Sequence, residues 1–353
     1  MQTKNVLYGL LIMVMFGSCQ SHQQSNTGQT QEADRFTTVM NYLESTGDYI
    51  NSSQAPSIIA ASKVYSILGS GTLVLDIRNE SQYQSGHIPG AVNVSFSELI
   101  HFFERNIDPS SFDNIILACN AGQSAAFATS LLRMLGYGNV FSLKWGMSSW
   151  NKEMADFKWN KKVSSKYVDQ LETESNPKSE FGEYPEIMSA DTLAYAIVRK
   201  RALEMLKNGF KHYSIKADVL FEQPSSFYII NYWPKKLYNK GHIPSATQYT
   251  PKKSLSRSAF LQTLPVDKPI VPYCFTGQHS AFVTAYLVMI GYDAKSLLYG
   301  ANGFMHQVLV DDIGHNFSEK QYMDYPLSTD QSMAVPNPKK KESKSAVSVS
   351  GGC

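Results

Sequence analysis

The sequence predicts an α/β protein with two similar domains in tandem, each a mainly parallel sheet flanked by helices on both faces. Short apolar runs typical of buried strands alternate with segments of helical periodicity, which favours parallel sheets covered on both sides. Sequence landmarks also recur at one spacing of 155 residues. The length of 353 residues suits two domains of ordinary size.

The repeat consists of matching landmarks in the two halves. The segment SGHIPGA at 85–91 recurs as KGHIPSA at 240–246, and CNAGQS at 119–124 recurs as CFTGQH at 274–279. A shorter landmark, LGY, recurs as IGY at the same spacing. Each half has more than about 100 residues, so this is a duplicated domain rather than a short solenoid repeat.

Apolar runs and helical stripes locate the main elements around these landmarks. Strands are expected at 73–77, 114–118 and 227–230. A helix over 124–135 has Phe127, Leu131 and Leu135 on one stripe and Gly136 after its end, and 280–290 is its counterpart. Ser189 is the expected N-cap of a helix that ends near Lys207.

Composition along the chain predicts six regions. They are a signal peptide at 1–18, a polar tether at 19–33, domain 1 at 34–160, a linker at 161–186, domain 2 at 187–318 and a flexible tail at 319–353.

The first residues have the pattern of an export signal. Lys4 precedes an apolar run at 6–16, which is too short to span a bilayer because a spanning helix needs about 20 residues. Gly17-Ser18-Cys19 resembles the lipobox of bacterial lipoproteins, which implies cleavage before Cys19 and lipid attachment to its thiol. We therefore expect an exported protein, lipid-anchored in the cell envelope or periplasm. The alternative is a simple secretory signal with an incidental cysteine.

Charge and cysteine content exclude several classes of protein. The formal net charge of +2 does not indicate a broad nucleic-acid surface. The chain has four cysteines, Cys19, Cys119, Cys274 and Cys353, which are too few and too far apart for a disulfide scaffold or a CxxC metal site. The sequence predicts neither a metal nor a cofactor.

Cys119 and Cys274 occupy positions that would activate a thiol. Each lies between a buried strand and a helix, where backbone N–H groups and the positive end of the helix dipole stabilise a thiolate. Gly122 and Gly277 allow the loop to curl around the sulfur as an anion-binding nest. Further hydroxyl donors to the sulfur are expected from Ser124, Thr276 and Ser280. For Ser124 and Ser280, the alternative is that the side chain caps the following helix.

These motifs together resemble those of rhodanese domains, the sulfurtransferase family. The family features are Asp76-x-Arg78 after the first strand, the Gly-His-Ile-Pro-Gly-Ala segment and a six-residue Cys-x-x-Gly-x-x loop. The resemblance implies a cysteine persulfide, formed from a small donor such as thiosulfate, 3-mercaptopyruvate or a persulfide. A thiol, cyanide or protein acceptor would then take the sulfur.

The resemblance also implies roles for individual residues. Catalysis is assigned to Cys119 and Cys274, and structural support to the Asp76–Arg78 pair, His87 and His242. The remaining residues of the two active loops are Asn120, Ala121, Gly122, Gln123, Ser124, Phe275, Thr276, Gly277, Gln278, His279 and Ser280.

The two halves depart from the family pattern in different ways. Neither loop contains Arg or Lys, so a dianionic donor such as thiosulfate is expected to bind poorly. Domain 2 replaces the Asp-x-Arg pair with Asn231 and Trp233, and it places Pro272 inside an expected strand. It also offers His279 as a donor or acid–base group. Since the C-terminal half is active in many tandem members, Cys274 is the preferred nucleophile.

Other functions fit the same motifs. The tandem fold could be a non-catalytic binding module or a thiol sensor. A phosphatase or arsenate reductase needs a longer loop ending in Arg, which is lacking in both halves. Cys353, at the end of the expected tail, could relay sulfur or form a disulfide with a loop cysteine.

Overall fold

The computed structural model describes residues 34–45, 47–330 and Val335. Two α/β halves follow one another in this part of the chain, here called domain 1 and domain 2 with the boundaries given above. The expected signal peptide, Cys19, the tether and Cys353 lie outside the described residues. Within the described part, no helix is both long enough and apolar enough to cross a membrane.

Domain 1 has one five-stranded parallel sheet with strand order β1-β5-β4-β2-β3. Its strands are β1 Ile58–Ile59, β2 Thr72–Asp76, β3 Val92–Asn93, β4 Asn114–Ala118 and β5 Val140–Leu143. Its helices are α1 Arg35–Leu43, α2 Ala61–Ile67, α3 Glu80–Gln84, α4 Leu99–Arg105, α5 Gln123–Met134 and α6 Lys152–Phe157.

The central strands β2 and β4 of domain 1 are buried at every position because both faces of the sheet are covered. Successive side chains point to opposite faces. Leu73 and Leu75 of β2 therefore join one core, while Val74 joins another on the opposite side. This arrangement confirms the predicted fold class.

Domain 2 repeats the strand order but divides it between two parallel sheets, β8-β7-β9 and β10-β6. Its strands are β6 Ser214–Ile215, β7 Tyr228–Asn231, β8 Thr247–Gln248, β9 Ile270–Tyr273 and β10 Ser296–Leu297. Its helices are α7 Ala194–Asn208, α8 Ala217–Glu222, α9 Lys235–Tyr238, α10 Gln278–Met289 and α11 His306–Val308, followed by a π-helical turn at Leu309–Ile313.

The division of the second sheet occurs at Pro272. In domain 1 the β4–β5 ladder continues to Leu117, which pairs with Ser142. In domain 2 the corresponding contact stops after the bridge between Ile270 and Ala294. Because proline has no N–H to donate, the ladder cannot continue through Pro272, the position equivalent to Leu117. Pro272 still pairs with Ile230 of β7 on its other side.

Helices α5 and α10 pack against each other and join the two domains. The predicted stripe of Phe127, Leu131 and Leu135 is buried, but so are most other residues of α5. The ring of Phe127 contacts two rings of domain 2, Phe210 and Tyr213, with centroid separations of 5.5 and 5.2 Å. A single amphipathic stripe underestimates this burial because the second domain covers the outer face of the helix.

The chain ends of the two domains cross over to the opposite domain. Helix α1 packs against α7, and Arg257 of domain 2 forms an ion pair with Glu44 at 2.7 Å. Beyond domain 2, Tyr325 stacks on Tyr65 of domain 1 with ring centroids 4.0 Å apart. Residues 319–330 were expected to belong to a flexible tail, but residues in this range pack against domain 1. The Trp150 indole N–H, for example, donates to the Pro326 carbonyl at 3.0 Å.

The start of α7 differs from the prediction. Ser189 accepts a hydrogen bond from the Asp191 N–H at 3.1 Å and does not cap the helix. The helix begins five residues later, and its N-cap position is Leu193, which provides no side-chain cap. Ser189 stabilises a turn instead, which is another common use of a serine hydroxyl.

Candidate active site

The Cys119 loop connects β4 to α5 and lies on a tight backbone support. Gly122 adopts φ +84°, in the left-handed region that glycine permits at little cost. The Met147 N–H donates to the Cys119 carbonyl at 2.8 Å. A Cβ on Gly146 would lie 2.2 Å from that carbonyl oxygen, so only glycine fits there. The loop conformation is therefore determined by its neighbours as well as by its own sequence.

Backbone N–H groups surround the sulfur of Cys119. The Gly122 N–H lies 3.1 Å from Sγ and the Ala125 N–H lies 3.4 Å from it, at the start of the 12-residue helix α5. Hydrogen bonds to the charged form of a group and a helix N-terminus both favour a thiolate. The geometry matches the nest expected from the sequence, and the donors are backbone groups.

A cavity of about 300 Å³ opens beside Cys119, whose residue surface is 5% exposed. Both domains contribute to its walls. The lining residues are Ile77, Arg78, Asn79, Gln82, Cys119, Asn120, Ala121, Gln123, Ser124 and Lys158 from domain 1, with Phe210, Leu298 and Tyr299 from domain 2. A small molecule in this cavity would reach the sulfur.

Lys158 supplies the cation that the loop sequence lacks. It follows α6 and lines the Cys119 cavity. Burial and then the neighbouring Lys162 lower the pKa of Lys158, and the charge of Cys119 opposes this change. Sequence analysis missed Lys158 because no motif connects it with the loop 39 residues earlier. Only the fold brings the two together.

Tyr299 is a second site residue that the sequence did not reveal. It comes from domain 2 with φ +64°, and its backbone N–H donates to the Gln123 side chain at 2.9 Å. Burial, with a smaller contribution from Cys119, raises the pKa of Tyr299 to about 12. The phenol therefore stays protonated near neutral pH. The internal repeat aligns positions within each domain and does not predict such a contribution from the other domain.

The Cys274 loop has a similar backbone but is closed to solvent. Cys274 is 0% exposed, with the Ser280 N–H 3.4 Å and the Thr276 hydroxyl 3.9 Å from its sulfur. The Phe275 ring stacks between two other rings, Trp233 and His315, at centroid distances of 4.5 Å each. The structure does not support the preference for Cys274, because aromatic side chains fill the space that is open beside Cys119.

His279 is not placed for acid–base chemistry. It is fully buried, and neither ring nitrogen has a hydrogen-bond partner among the described residues. Burial lowers the pKa of His279 to about 3, with a smaller effect of Lys252. Its ring packs edge-on against Tyr232 at 4.8 Å. The expected role as a donor or acid–base group is therefore wrong, because the imidazole is a neutral core group.

The Asp76–Arg78 pair is buried beside the cavity. The Arg78 guanidinium donates to Asp76 with Nη2 at 2.6 Å, and the two side chains are 2% and 1% exposed. The same Nη2 donates to the Gly86 carbonyl at 2.6 Å. In domain 2, Asn231 donates instead to the Tyr273 hydroxyl at 2.8 Å. The pair connects the end of β2 to the following segment, as a structural group would.

His87 and His242 lie in equivalent structural settings. Each imidazole stacks on a tyrosine ring, Tyr83 or Tyr238, with ring centroids 3.7 Å apart. Each Nδ1 also contacts that tyrosine's backbone carbonyl, at 2.9 Å for His87 and 3.0 Å for His242. Neither histidine lines the Cys119 cavity.

The two loop serines do not act as helix caps. Gly122 and Gly277 occupy the N-cap positions of α5 and α10, and neither provides a side-chain hydrogen bond. Ser124 lines the Cys119 cavity. The Ser280 hydroxyl pairs with that of Ser296 at 3.0 Å, so its backbone N–H, rather than its hydroxyl, contacts Cys274.

A fold with a cysteine nest in each half places the chain in a known class. Residues 60–153 and 220–307, just over half of the chain, match the Rhodanese-like domain family. The chain belongs to this family, with one such domain in each half.

Individual relatives cover parts of the chain. It is similar to the thiosulfate sulfurtransferase GlpE of Pseudoalteromonas translucida, with 35% identity over 79 residues, or 22% of this chain and 71% of that protein. It is also similar to the tRNA uridine(34) hydroxylase of Teredinibacter turnerae, with 29% identity over 86 residues. That match covers 24% of this chain and spans only 27% of the hydroxylase.

Solved structures include a thiosulfate sulfurtransferase from Pseudomonas aeruginosa. It is 16% identical, and the match covers 87% of this chain and 50% of that chain with a TM-score of 0.29.

Proposed function

We propose that the protein is a sulfurtransferase in which Cys119 carries the transferred sulfur as a persulfide. One observation carries this proposal: two backbone N–H groups point at the Cys119 sulfur, and this sulfur lies at the edge of an open cavity. Membership of the rhodanese-like family and the similarity to a thiosulfate sulfurtransferase support it.

The proposed reaction has two steps. The Cys119 thiolate attacks the outer sulfur of the donor, so that a new S–S bond forms while the bond from that sulfur to the rest of the donor breaks. The leaving group departs with the electron pair, as sulfite does from thiosulfate. An acceptor thiolate or cyanide then attacks the outer persulfide sulfur and releases the Cys119 thiolate. A persulfide anion keeps the charge that the Gly122 and Ala125 N–H groups stabilise.

The walls of the cavity favour a small anionic donor. Lys158 provides one cationic group, whereas the guanidinium of Arg78 is already paired with Asp76. Phe210 and Leu298 provide apolar surface. A compact donor with a single negative charge, such as 3-mercaptopyruvate or a low-molecular-weight persulfide, matches this set better than dianionic thiosulfate.

Mass spectrometry of full-length protein, with Cys119→Ser and Cys274→Ser variants, tests the function. After incubation with each of the three donors, the wild type and Cys274→Ser should gain one sulfur atom that cyanide removes. Cys119→Ser should gain no sulfur atom that cyanide removes. If no donor modifies the wild type, the proposal fails and the binding or thiol-sensing alternative is favoured. A sulfur atom found on Cys274 would contradict the assignment of the nucleophile.

We also propose that the protein acts in the cell envelope, anchored by lipid on Cys19. The lipobox-like Gly17-Ser18-Cys19 after an apolar run supports this proposal. Cells expressing the wild type and a Cys19→Ser variant, labelled with a fatty acid, should show label and membrane retention only for the wild type. Equal labelling of both proteins would refute the anchor.

A further inference from the structure

Gln278, from the loop of domain 2, reaches into the active loop of domain 1. It is the first residue of α10 and is 0% exposed. Its Nε2 donates to the carbonyls of Gly122 at 3.3 Å and Leu143 at 3.2 Å. Its Oε1 accepts from the Trp145 N–H at 2.7 Å. One side-chain amide thus joins three backbone groups of the opposite domain.

Two of these groups belong to the backbone that holds the Cys119 sulfur. Gly122 accepts the Gln278 hydrogen bond through its carbonyl and points its own N–H at Sγ, 3.1 Å away. Trp145 precedes Gly146, whose Cα lies against the loop so closely that a Cβ would be 2.5 Å from the Gly122 nitrogen. Gln278 therefore fixes both the loop and the segment that supports it.

The packing leaves the Gln278 amide little freedom. A Cβ on Gly122 would lie 2.3 Å from Nε2 of Gln278, so the amide fills the space beside this glycine. Buried polar groups that are fully hydrogen-bonded hold a single conformation, because any displacement leaves donors or acceptors unpaired. On the other side of the interface, Gln123 Oε1 accepts from the Tyr299 N–H at 2.9 Å and would lie 2.7 Å from a Cβ on Gly277.

We infer that Gln278 is a positioning residue for Cys119, through which domain 2 sets the orientation of the Gly122 N–H toward the sulfur. The inference rests on the proposed function for its catalytic consequence, but not for its effect on the thiol itself. Gln278 does not line the cavity, so it acts through the loop and not on the substrate. It gives the closed loop of domain 2 a role in the open site of domain 1.

Thiol alkylation measures this effect without sulfur transfer. The charged or titratable groups that face Cys119 are Lys158, Tyr299 and the Arg78–Asp76 pair, and all of them remain in a Gln278 variant. In full-length Gln278→Met, the rate at which iodoacetamide alkylates the Cys119 peptide, followed across a range of pH, should fall about tenfold near neutral pH, because the Gly122 N–H is no longer held toward the sulfur.

A matched variant and a shorter amide serve as controls. Thr284→Val changes a fully buried residue of the same helix whose hydroxyl has no partner among the described residues, so it should leave the alkylation profile unchanged. Gln278→Asn keeps an amide that is one methylene too short to reach Gly122, so it should behave like Gln278→Met. It also provides a second protein if the methionine variant does not fold.

Kinetics with the same proteins separate this inference from the proposed function. Gln278→Met should lower kcat about tenfold while KM for the donor stays near the wild-type value. If the wild type forms a persulfide but both Gln278 variants match Thr284→Val in alkylation and kcat, the inference is overturned. If the wild type forms no persulfide yet the variants shift the alkylation profile, the function fails and the positioning role stands.

Discussion

The two active loops share a backbone but differ in access to solvent. Gly122 and Gly277 have φ values of +84° and +77°, and each loop directs a backbone N–H at its cysteine sulfur. Cys119 nevertheless faces a cavity of about 300 Å³, whereas Cys274 is 0% exposed. A backbone nest is therefore not sufficient for a reactive site, because side chains decide whether a substrate can enter.

The closure of the second loop follows from substitutions at equivalent positions. Arg78 and Asn120 line the cavity in domain 1, and their counterparts Trp233 and Phe275 stack on each other in domain 2. Stacked aromatic rings bury a large apolar area and stabilise the core. The same domain provides Gln278 and Tyr299 to the Cys119 site. Domain 2 thus contributes to the wall of the Cys119 cavity and holds the Cys119 loop.

The largest predicted difference concerns the buried ion pair that only domain 1 retains. Asp76→Asn leaves the Arg78 charge buried without its partner, so the free energy of unfolding should fall by about 3–5 kcal/mol. Urea unfolding followed by tryptophan fluorescence measures it. The matched change in domain 2, Asn231→Ala, removes a neutral hydrogen bond to Tyr273 and should cost about 1–2 kcal/mol. Equal losses would show that the pair is not a special feature of domain 1.

The repeated landmarks predicted the fold well because each reflects a local physical requirement. Buried strands at 73–77 and 114–118 were located to within one residue, since both faces of a parallel sheet must be apolar. Pro272 indicated a disturbed ladder for the same kind of local reason. Both loop cysteines were found because the strand–loop–helix junction is encoded in consecutive residues.

The sequence could not predict the contacts between distant segments. Lys158, Tyr299 and Gln278 reach the Cys119 site or its loop from other elements, so their roles depend on how the two domains pack. The preference for Cys274 rested on sequence alone, whereas the packing places the open cavity beside Cys119. His279 and Phe275 are ordinary loop residues in the sequence, and only packing shows that both are buried.

His279, at the position equivalent to Ser124 of domain 1, should make the free energy of unfolding depend on pH by about 2 kcal/mol. The folded-state pKa of His279 is about 3, below the ordinary value of 6.5. As pH falls below 6.5, the unfolded chain takes up a proton that the folded chain refuses, so stability is lost. Between pH 7 and pH 5 this histidine should account for about 2 kcal/mol of that loss. His279→Asn should flatten the stability profile by that amount in urea unfolding at each pH.

The other histidines do not obscure this test. Burial also lowers the pKa of His242 and His315, which contribute in the same direction in both proteins. The difference between the two profiles therefore isolates His279. Parallel stability profiles of the wild type and His279→Asn would mean that this imidazole takes up a proton as readily in the folded chain as in the unfolded chain.

Lys158→Met should lower kcat/KM for an anionic donor about tenfold, since a charge-assisted hydrogen bond contributes about 1.5–3 kcal/mol and part of it is replaced by solvent. Because the pKa of Lys158 is lowered by burial, its positive charge is lost as pH rises through that lowered value. KM of the wild type should therefore rise at alkaline pH, and that of the variant should not. Lys161→Met, which removes a neighbouring exposed lysine that does not line the cavity, should retain the wild-type profile. Matching losses in both variants would indicate a general charge effect.

The smallest predicted effect is at Pro272, where the second sheet divides. Pro272→Leu restores the residue found at Leu117 and adds an N–H that could extend the ladder toward β10, a gain of about 0.5–1.5 kcal/mol. Removing proline also frees the unfolded chain, which costs about 0.4–1 kcal/mol. Because these effects oppose each other, the free energy of unfolding should change by less than about 1 kcal/mol, and hydrogen exchange is the informative measurement.

Slow exchange of the new amide at position 272 would show that proline alone separates β9 from β10. Rapid exchange would instead mean that the packing around Phe275, two residues beyond the end of this strand, keeps the strands apart. In the first case the open sheet is a local consequence of one residue. In the second, the side chains that close the Cys274 loop also reshape the sheet beneath it, and the two differences between the domains have one cause.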